Sequence, residues 1–253
     1  METDIRINKY ISAMGICSRR EADRLISDGL VLVNGSPAVS GQRIAEGDSV
    51  VVNGRTVNDN RVEPPVLIAF NKPKGIICTS GTKDGGRNII DYIGYKSRIF
   101  PVGRLDKDSE GLILLTNRGE LVNGINRARY RHEKEYTVSC ANRVSDDFLK
   151  KMSGGVRIMV PEGREADGKK RLRQVTTRKC SVKRIDSHTF SIIITQGYNR
   201  QIRRMCEALG NKVVFLKRVR IMNILLGDLP EGKYRLVEGR ELEALEALLK
   251  PEG

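Results

Sequence analysis

Apolar residues near the start of the chain recur at helical spacing over 5–11, which predicts a short amphipathic helix. Ser18 is followed three residues later by Glu21, and this capping-box pattern predicts that a second helix begins there. The apolar run 30–33 is followed directly by Asn-Gly, and the stretch 47–54 ends in Asn-Gly after three valines. Both patterns are typical of a short strand that enters a tight turn. These patterns together predict a small α+β unit.

A different pattern begins at Val66, where apolar runs become longer and more numerous. Runs typical of buried strands occupy 66–70, 112–115, 136–140, 189–195 and 212–216. Helical spacing is found at 88–93, 146–152, 200–209 and 241–250. Because the predicted strands outnumber the helices, a central mixed and mostly antiparallel sheet is favoured over repeated βαβ units.

The 253 residues are therefore predicted to form two domains of the α+β class. We expect a small N-terminal domain over 1–62, a linker at 63–65 that ends in Pro64-Pro65, and a larger domain over 66–253.

Composition excludes several classes of protein. No apolar run approaches the roughly 18 residues of a membrane helix, and residues 1–6 lack the apolar core of a secretory signal. The five cysteines form no C-x-x-C pair and the chain has two histidines, so neither a disulfide framework nor a structural zinc site is expected. We expect a cytoplasmic monomer that needs no metal and no cofactor.

Positive charge points to a polyanionic partner, either nucleic acid or an anionic membrane surface. The formal net charge is +14. Residues 164–184 hold nine Lys or Arg against two Asp or Glu, and residues 196–220 hold seven against one. Such dense clusters favour a surface that contacts phosphates. Neither cluster forms a basic amphipathic helix with large apolar residues, which disfavours the membrane.

Charged residues of both signs alternate in a loop bounded by Gly103 and Gly111, directly before the apolar run 112–115. A polar loop carried by a sheet is a frequent position for catalytic groups. From the residues alone, Arg104, Asp106 and their neighbours fit a solvated turn with exposed ion pairs equally well.

Several stretches resemble the motifs of RNA pseudouridine synthases, in the branch of the RsuA/RluA superfamily that contains RsuA, RluB, RluE and RluF. Four stretches match these motifs and lie in the same order along the chain as in the family. They are 71–75, 103–112, 133–136 and 197–205. Residues 1–65 resemble the small RNA-binding domain named after ribosomal small-subunit protein four. The stretches 104–108, 132–136 and 220–223 look most like the RluF-type enzymes, which act on large-subunit rRNA.

The resemblance implies that the protein isomerises uridine to pseudouridine in RNA and that Asp106 is the essential carboxylate, acting as a nucleophile or a base. By motif position, Tyr136 would stack on the uracil or transfer a proton, although a core aromatic residue of a strand is the alternative. Arg203 would pair with Asp106 and keep it ionised. Lys134 is expected to be structural or to face a phosphate.

Several cations are expected to contact RNA by the same resemblance. Arg104 would help to extrude the target base from the stack. The remaining predicted contacts are Lys9, Arg19, Arg20, Arg24, Lys72, Arg200 and Arg204. Residues 1–65 have a net charge of −1, so the cations of this region would act by position rather than by number.

Residues 161–173 depart from the family pattern, since they read as a longer basic loop between the two strands that flank it. We hypothesise that this loop is an RNA-contacting arm that is mobile without RNA.

The preferred substrate is 23S rRNA near the peptidyl-transferase region. The alternative substrates are transfer RNA and another rRNA site. The alternative function is that of a catalytically silent ribosome-assembly factor that binds RNA.

Overall fold

The structure, a computed structural model, describes residues 4–57, 64–79, 87–126, 131–164 and 170–250. The chain separates into two compact units. The smaller comprises 1–66 with 95–99 and 117–119, and the larger comprises the rest. Part of the predicted linker at 63–65 lies outside the described residues, and the domain limits given above remain predictions.

The smaller unit is an α+β arrangement of two helices and short strands. Its elements are β1 (Ile5–Arg6), α1 (Ile7–Ala13), α2 (Arg19–Ser27), β2 (Val31–Val33), β3 (Ser36–Pro37), β4 (Arg43–Ile44), β5 (Val50–Val52) and β6 (Arg55–Thr56). The strands form an antiparallel sheet in the order β3-β2-β5-β6, and β1 pairs with β4.

Local signals explain this unit well. The backbone N–H of Glu21 donates to Ser18 Oγ at 3.1 Å, so the predicted N-cap of α2 is confirmed. Asn34 and Gly35 have φ of 50° and 80°, as a type I′ turn requires, and this turn joins β2 to β3. Apolar faces of both helices pack against the strands in one core, which includes Ile11 and Ile26.

The larger unit contains the remaining elements, with only the first residue of α4 assigned to the smaller unit. Its helices are α3 (Ile89–Ile93), α4 (Gly119–Asn126), α5 (Asp146–Gly154), α6 (Gln201–Ala208) and α7 (Gly239–Leu249). Its strands are β7 (Leu67–Lys72), β8 (Phe100–Val102), β9 (Glu110–Thr116), β10 (Lys134–Cys140), β11 (Arg157–Arg164), β12 (Lys170–Thr176), β13 (Ser181–Arg184), β14 (Thr189–Ile194), β15 (Val213–Ile221), β16 (Ile224–Leu225) and β17 (Tyr234–Leu236).

One large sheet organises this unit, with the strand order β13-β14-β10-β15-β9-β7-β17. Along this path β9 and β15 are parallel and the other pairs are antiparallel, which confirms the predicted mixed, mostly antiparallel sheet. Leu112 to Leu115 are completely buried in β9, because both faces of this central strand are covered. The strand therefore holds the polar loop before it on a rigid support.

Gly111 permits the close approach of β9 and β15. It lies opposite Arg218 in the parallel register and has φ of 98°. A Cβ atom at Gly111 would collide with the carbonyl oxygen of Arg218, so no other residue fits without moving one strand.

The expected longer basic loop at 161–173 is wrong as a description of local structure, because β11 and β12 pair as an antiparallel hairpin. Ile158 and Val160 are 3% exposed and alternate with the exposed Arg157 and Met159, so one face of the hairpin packs inward. Residues 165–169 lie outside the described residues, and mobility of the arm is untested.

No helix in the described part of the chain is long and apolar enough to cross a membrane.

Candidate active site

A pocket of about 310 Å³ opens in the larger unit beside the charged loop that precedes β9. Its walls come from that loop, from the beginning of β10, from the segment between β14 and α6, and from β15. Four residues predicted from the sequence line it together, namely Arg104, Asp106, Tyr136 and Arg200. The structure thus brings the predicted carboxylate and aromatic ring to one cavity.

Backbone hydrogen bonds hold the Asp106 loop in place. The N–H of Ser109 donates to the carbonyl of Asp106 at 3.0 Å, and the N–H of Gly75 donates to the carbonyl of Lys107 at 2.7 Å. The N–H of Leu105 donates to the buried Cys78 Sγ at 3.4 Å. The Asp106 side chain, which is 32% exposed, remains accessible from the pocket.

Arg200 is the cation that faces Asp106. Its Nη1 lies 3.9 Å from Asp106 Oδ2 and donates to Asp108 Oδ1 at 2.9 Å. The hydrogen bond from Arg200 holds the pKa of the Asp108 carboxyl below its usual value and raises the pKa of Arg200. Arg200 has a φ of 53° at the N-cap of α6, so an uncommon backbone conformation places its side chain here.

Arg203 does not pair with Asp106, which corrects the sequence-based expectation. It is 7% exposed, and its Nη2 donates to the Asp108 carbonyl at 3.0 Å and to Ser109 Oγ at 3.3 Å. Its Nη1 donates to the Val213 carbonyl at 3.3 Å, and its Nε lies 3.7 Å from Asp108 Oδ2. From the first turn of α6 the side chain enters the interior, where it supports the loop.

Tyr136 lies on β10 and is 8% exposed, with its ring among the residues that line the pocket. Behind it is Arg218 of β15, which the sequence analysis missed. Arg218 Nη1 lies 3.5 Å from the Tyr136 hydroxyl, and its guanidinium carbon lies 5.9 Å from the ring centroid. β15 carries three cations, and the available signal for a buried role was that Arg218 lies two residues after the apolar Leu216, on the same face of the strand.

Lys134, at the start of β10, also lines the pocket. Among the described residues its ammonium forms no ion pair or hydrogen bond. Burial, together with repulsion from Arg218, lowers the pKa of Lys134 to about 8.

Lys72 is enclosed by protein and not accessible to RNA, which corrects its assignment as an RNA-binding residue. Its side chain is completely buried, and Nζ donates to the carbonyls of Pro73 and Ile76 at 2.9 and 3.0 Å. Burial lowers the pKa of this ammonium. Lys72 therefore stabilises the turn that follows β7.

Arg204 joins the basic hairpin to the pocket wall. Nη1 donates to the Met159 carbonyl at 2.8 Å, and Nε donates to the Asn199 carbonyl at 3.0 Å. These bonds occupy much of the guanidinium, so Arg204 has a structural role in addition to any contact with RNA.

The other predicted RNA contacts lie at the surface. Arg104 is exposed at the pocket. In the smaller unit Arg19, Arg20 and Arg24 are exposed on α2, where Arg24 forms an ion pair with Glu21 at 2.9 Å, and Lys9 is half-buried on α1.

Comparison with known proteins gives concordant matches for both units. Residues 66–208 match the family model described as RNA pseudouridylate synthase, and residues 5–50 match that of the S4 domain. A protein of Salmonella typhi named dual-specificity RNA pseudouridine synthase RluF is 47% identical over 98% of this chain and 81% of its own length.

More distant relatives are also pseudouridine synthases by name. The ribosomal large subunit pseudouridine synthase B of Bacillus subtilis is 34% identical over 96% of both chains. A crystal structure described as a pseudouridylate synthase superposes with a TM-score of 0.64 and 27% identity, covering 96% of this chain and 99% of that one.

Proposed function

Because the chain belongs to the RNA pseudouridylate synthase family, we propose that this enzyme converts uridine to pseudouridine in 23S rRNA near the peptidyl-transferase region. The observation that carries the proposal is the pocket that Asp106, Tyr136 and Arg200 line together, with Arg200 3.9 Å from Asp106. The 47% identical relative carries the name RluF, and the 34% identical one is named for the large ribosomal subunit.

The reaction requires one carboxylate that acts as a nucleophile or a base, and Asp106 supplies it in this proposal. Isomerisation breaks the bond from C1′ to N1 and joins C1′ to C5, with no net gain or loss of atoms. The Asp106 carboxylate attacks the detaching nucleoside as a nucleophile or removes a proton as a base. Arg200 is the cation placed beside Asp106, with Nη1 3.9 Å from Oδ2, the position that sequence reasoning gave to Arg203.

The target uridine reaches this pocket only after leaving its base stack. Arg104, exposed at the pocket, is suited to occupy the vacated space or to hold the flanking phosphate. Tyr136 then offers a ring for the uracil to contact. We propose that one chain suffices, since it supplies Asp106, Tyr136 and Arg200, and that it acts in the cytoplasm without metal.

The basic hairpin of β11 and β12 is proposed as an RNA-contacting arm. Arg171 and Arg173 are exposed on β12, and both lie near Glu162, at 3.8 and 3.5 Å. One carboxylate facing two guanidinium groups leaves positive charge available for phosphates, and exposed pairs of this kind are weak. Arg204 anchors the base of the arm beside the pocket wall.

Replacing Arg171 and Arg173 by Gln should weaken binding of 23S rRNA about tenfold near 0.1 M salt, because two phosphate contacts and their released counterions are lost. The slope of log affinity against log salt should become shallower by roughly 1.5. Filter binding at several salt concentrations measures both. The matched control replaces Lys150 and Lys151 of α5 by Gln, an equal loss of exposed charge away from the pocket. Equal effects of the two double variants would contradict the arm.

The proposed substrate is tested with purified protein and unmodified transcripts. We expect pseudouridine at one uridine of 23S rRNA or of a fragment around the peptidyl-transferase region. Transfer RNA is included because the 47% identical relative is named a dual-specificity enzyme. Modification of transfer RNA alone would overturn the rRNA assignment, and no pseudouridine in any RNA would favour the silent assembly factor.

A further inference from the structure

Lys134 and Arg218 form a cationic pair on the Tyr136 side of the pocket. Arg218 is 3% exposed, and its Nε donates to the Leu112 carbonyl at 2.6 Å. Arg218 Nη2 is buried without a hydrogen-bond partner among the described residues. Neither residue has a carboxylate within salt-bridge distance in the part of the chain that the structure describes.

Two like charges held together without an acid are costly in a folded protein. Each loses hydration on burial, and their mutual repulsion adds to that cost. The lowered pKa of Lys134 reflects both effects. Buried polar groups that lack partners in a pocket are expected to find them in the ligand. The pair therefore points to an electron-rich acceptor that enters from the pocket.

The proposed reaction produces such an acceptor. When the bond from C1′ to N1 breaks heterolytically, its electron pair stays on the base, which becomes a uracil anion. The negative charge is shared by N1, O2 and O4. C5 then forms the new bond to C1′, which leaves a neutral ring with a saturated C5. The C5 proton is lost and N1 takes up a proton, so atoms and charge balance.

We propose that Lys134 and Arg218 bind the uracil anion released by cleavage of the glycosidic bond and stabilise it until C5 attaches to the sugar. The inference rests on the proposed function and assigns Lys134 a role beyond the structural or phosphate-facing one expected from the sequence. Lys134 donates to the ring oxygens as their charge develops, and Arg218 supplies a fixed positive field behind Tyr136. Asp106 lies across the same pocket and acts on the sugar.

Loss of the Lys134 charge should slow the chemical step more than RNA binding. In Lys134→Met the apolar stem between Ile194 and Ile221 is retained. We expect the single-turnover rate near pH 7 to fall about 100-fold, the size of effect seen when one donor to a developing anion is removed. The RNA dissociation constant should change less than about threefold. A phosphate ligand would give the reverse pattern, weaker binding and a shallower salt slope with an unchanged rate, which would overturn the proposal.

The pH profile separates this role from a structural one. Lys134 carries its charge below its pKa of about 8 and loses it above, so kcat/KM of the wild type should fall as pH rises through about 8. Lys134→Arg stays charged, so its profile should lack this falling limb and its rate near pH 7 should remain within about tenfold of wild type. The charged and titratable groups that share the pocket with Lys134 are Arg104, Asp106, His132, Tyr136, Tyr198, Arg200 and Arg218. They are unchanged in this comparison.

An identical falling limb in Lys134→Arg, or a Lys134→Met rate within threefold of wild type, would overturn the anion site. Both results leave the proposed function intact, because that function is tested separately, by whether the wild type forms pseudouridine in 23S rRNA and whether Asp106→Asn abolishes it.

Discussion

Replacement of Asp106 by Asn is expected to slow pseudouridine formation by at least about 10⁴-fold while RNA still binds with nearly unchanged affinity. An amide keeps the shape of the side chain but cannot serve as an anionic nucleophile or accept a proton at its usual position. Asp106 is partly exposed in the pocket and lies 3.9 Å from Arg200, so its loss should not disturb the core. Single-turnover conversion of an rRNA fragment, with binding measured in parallel, tests this.

The matched control for that experiment is Asp147→Asn, the same chemical change at an exposed position of α5. Its turnover should stay within about twofold of wild type, since an exposed ion pair contributes little. Appreciable turnover by Asp106→Asn would contradict the assignment of the essential carboxylate.

Replacement of Arg203 by Met should destabilise the fold by about 2–3 kcal/mol. The guanidinium is buried and donates to Val213, Asp108 and Ser109, and Met would leave these acceptors without a donor. The partial exposure of Asp108 keeps the expected loss below that of a fully buried ion pair. Urea unfolding of the variant and the wild type gives the difference.

Arg200→Met should be compared with Arg203→Met, because Arg200 is more exposed and faces the pocket. We expect less than about 1 kcal/mol of destabilisation but at least a tenfold loss of turnover, since Asp106 and Asp108 would lose their nearest cation. A larger loss of stability in Arg200→Met than in Arg203→Met would contradict the assignment of separate roles to the two arginines.

Local signals predicted much of the fold. The capping pattern at Ser18 and the Asn-Gly turns depend on a few neighbouring residues, so they are visible in the sequence. The apolar run of β9 likewise identified a strand buried on both faces. In contrast, α4 was missed because Gly and Asn within Gly119–Asn126 disfavour a helix, and packing of Leu121 and Ile125 into the core stabilises it.

The hairpin of β11 and β12 shows a second limit. Charged residues and Pro161 hide the alternation of buried Ile158 and Val160, whose burial depends on a surface formed elsewhere in the chain. A period of two is a weak signal when only one strand of a pair has an inward apolar face.

Some residues of the candidate pocket were predicted from the sequence and others were not. Motif positions identified Asp106 and Tyr136, and the structure places both in one cavity. Sequence could not decide which arginine faces Asp106, because the backbone at Arg200 takes a left-handed conformation that redirects its side chain. Nor could it find the cationic pair, since Lys134 and Arg218 become neighbours only when β10 and β15 align.

The most direct test of the central claim is a map of pseudouridine in the total RNA of cells that carry the gene, lack it, or express Asp106→Asn in its place. We predict that one position of 23S rRNA near the peptidyl-transferase region is modified in the first strain and unmodified in the other two. An identical rRNA map in all three strains, or a difference found only in transfer RNA, would contradict the account.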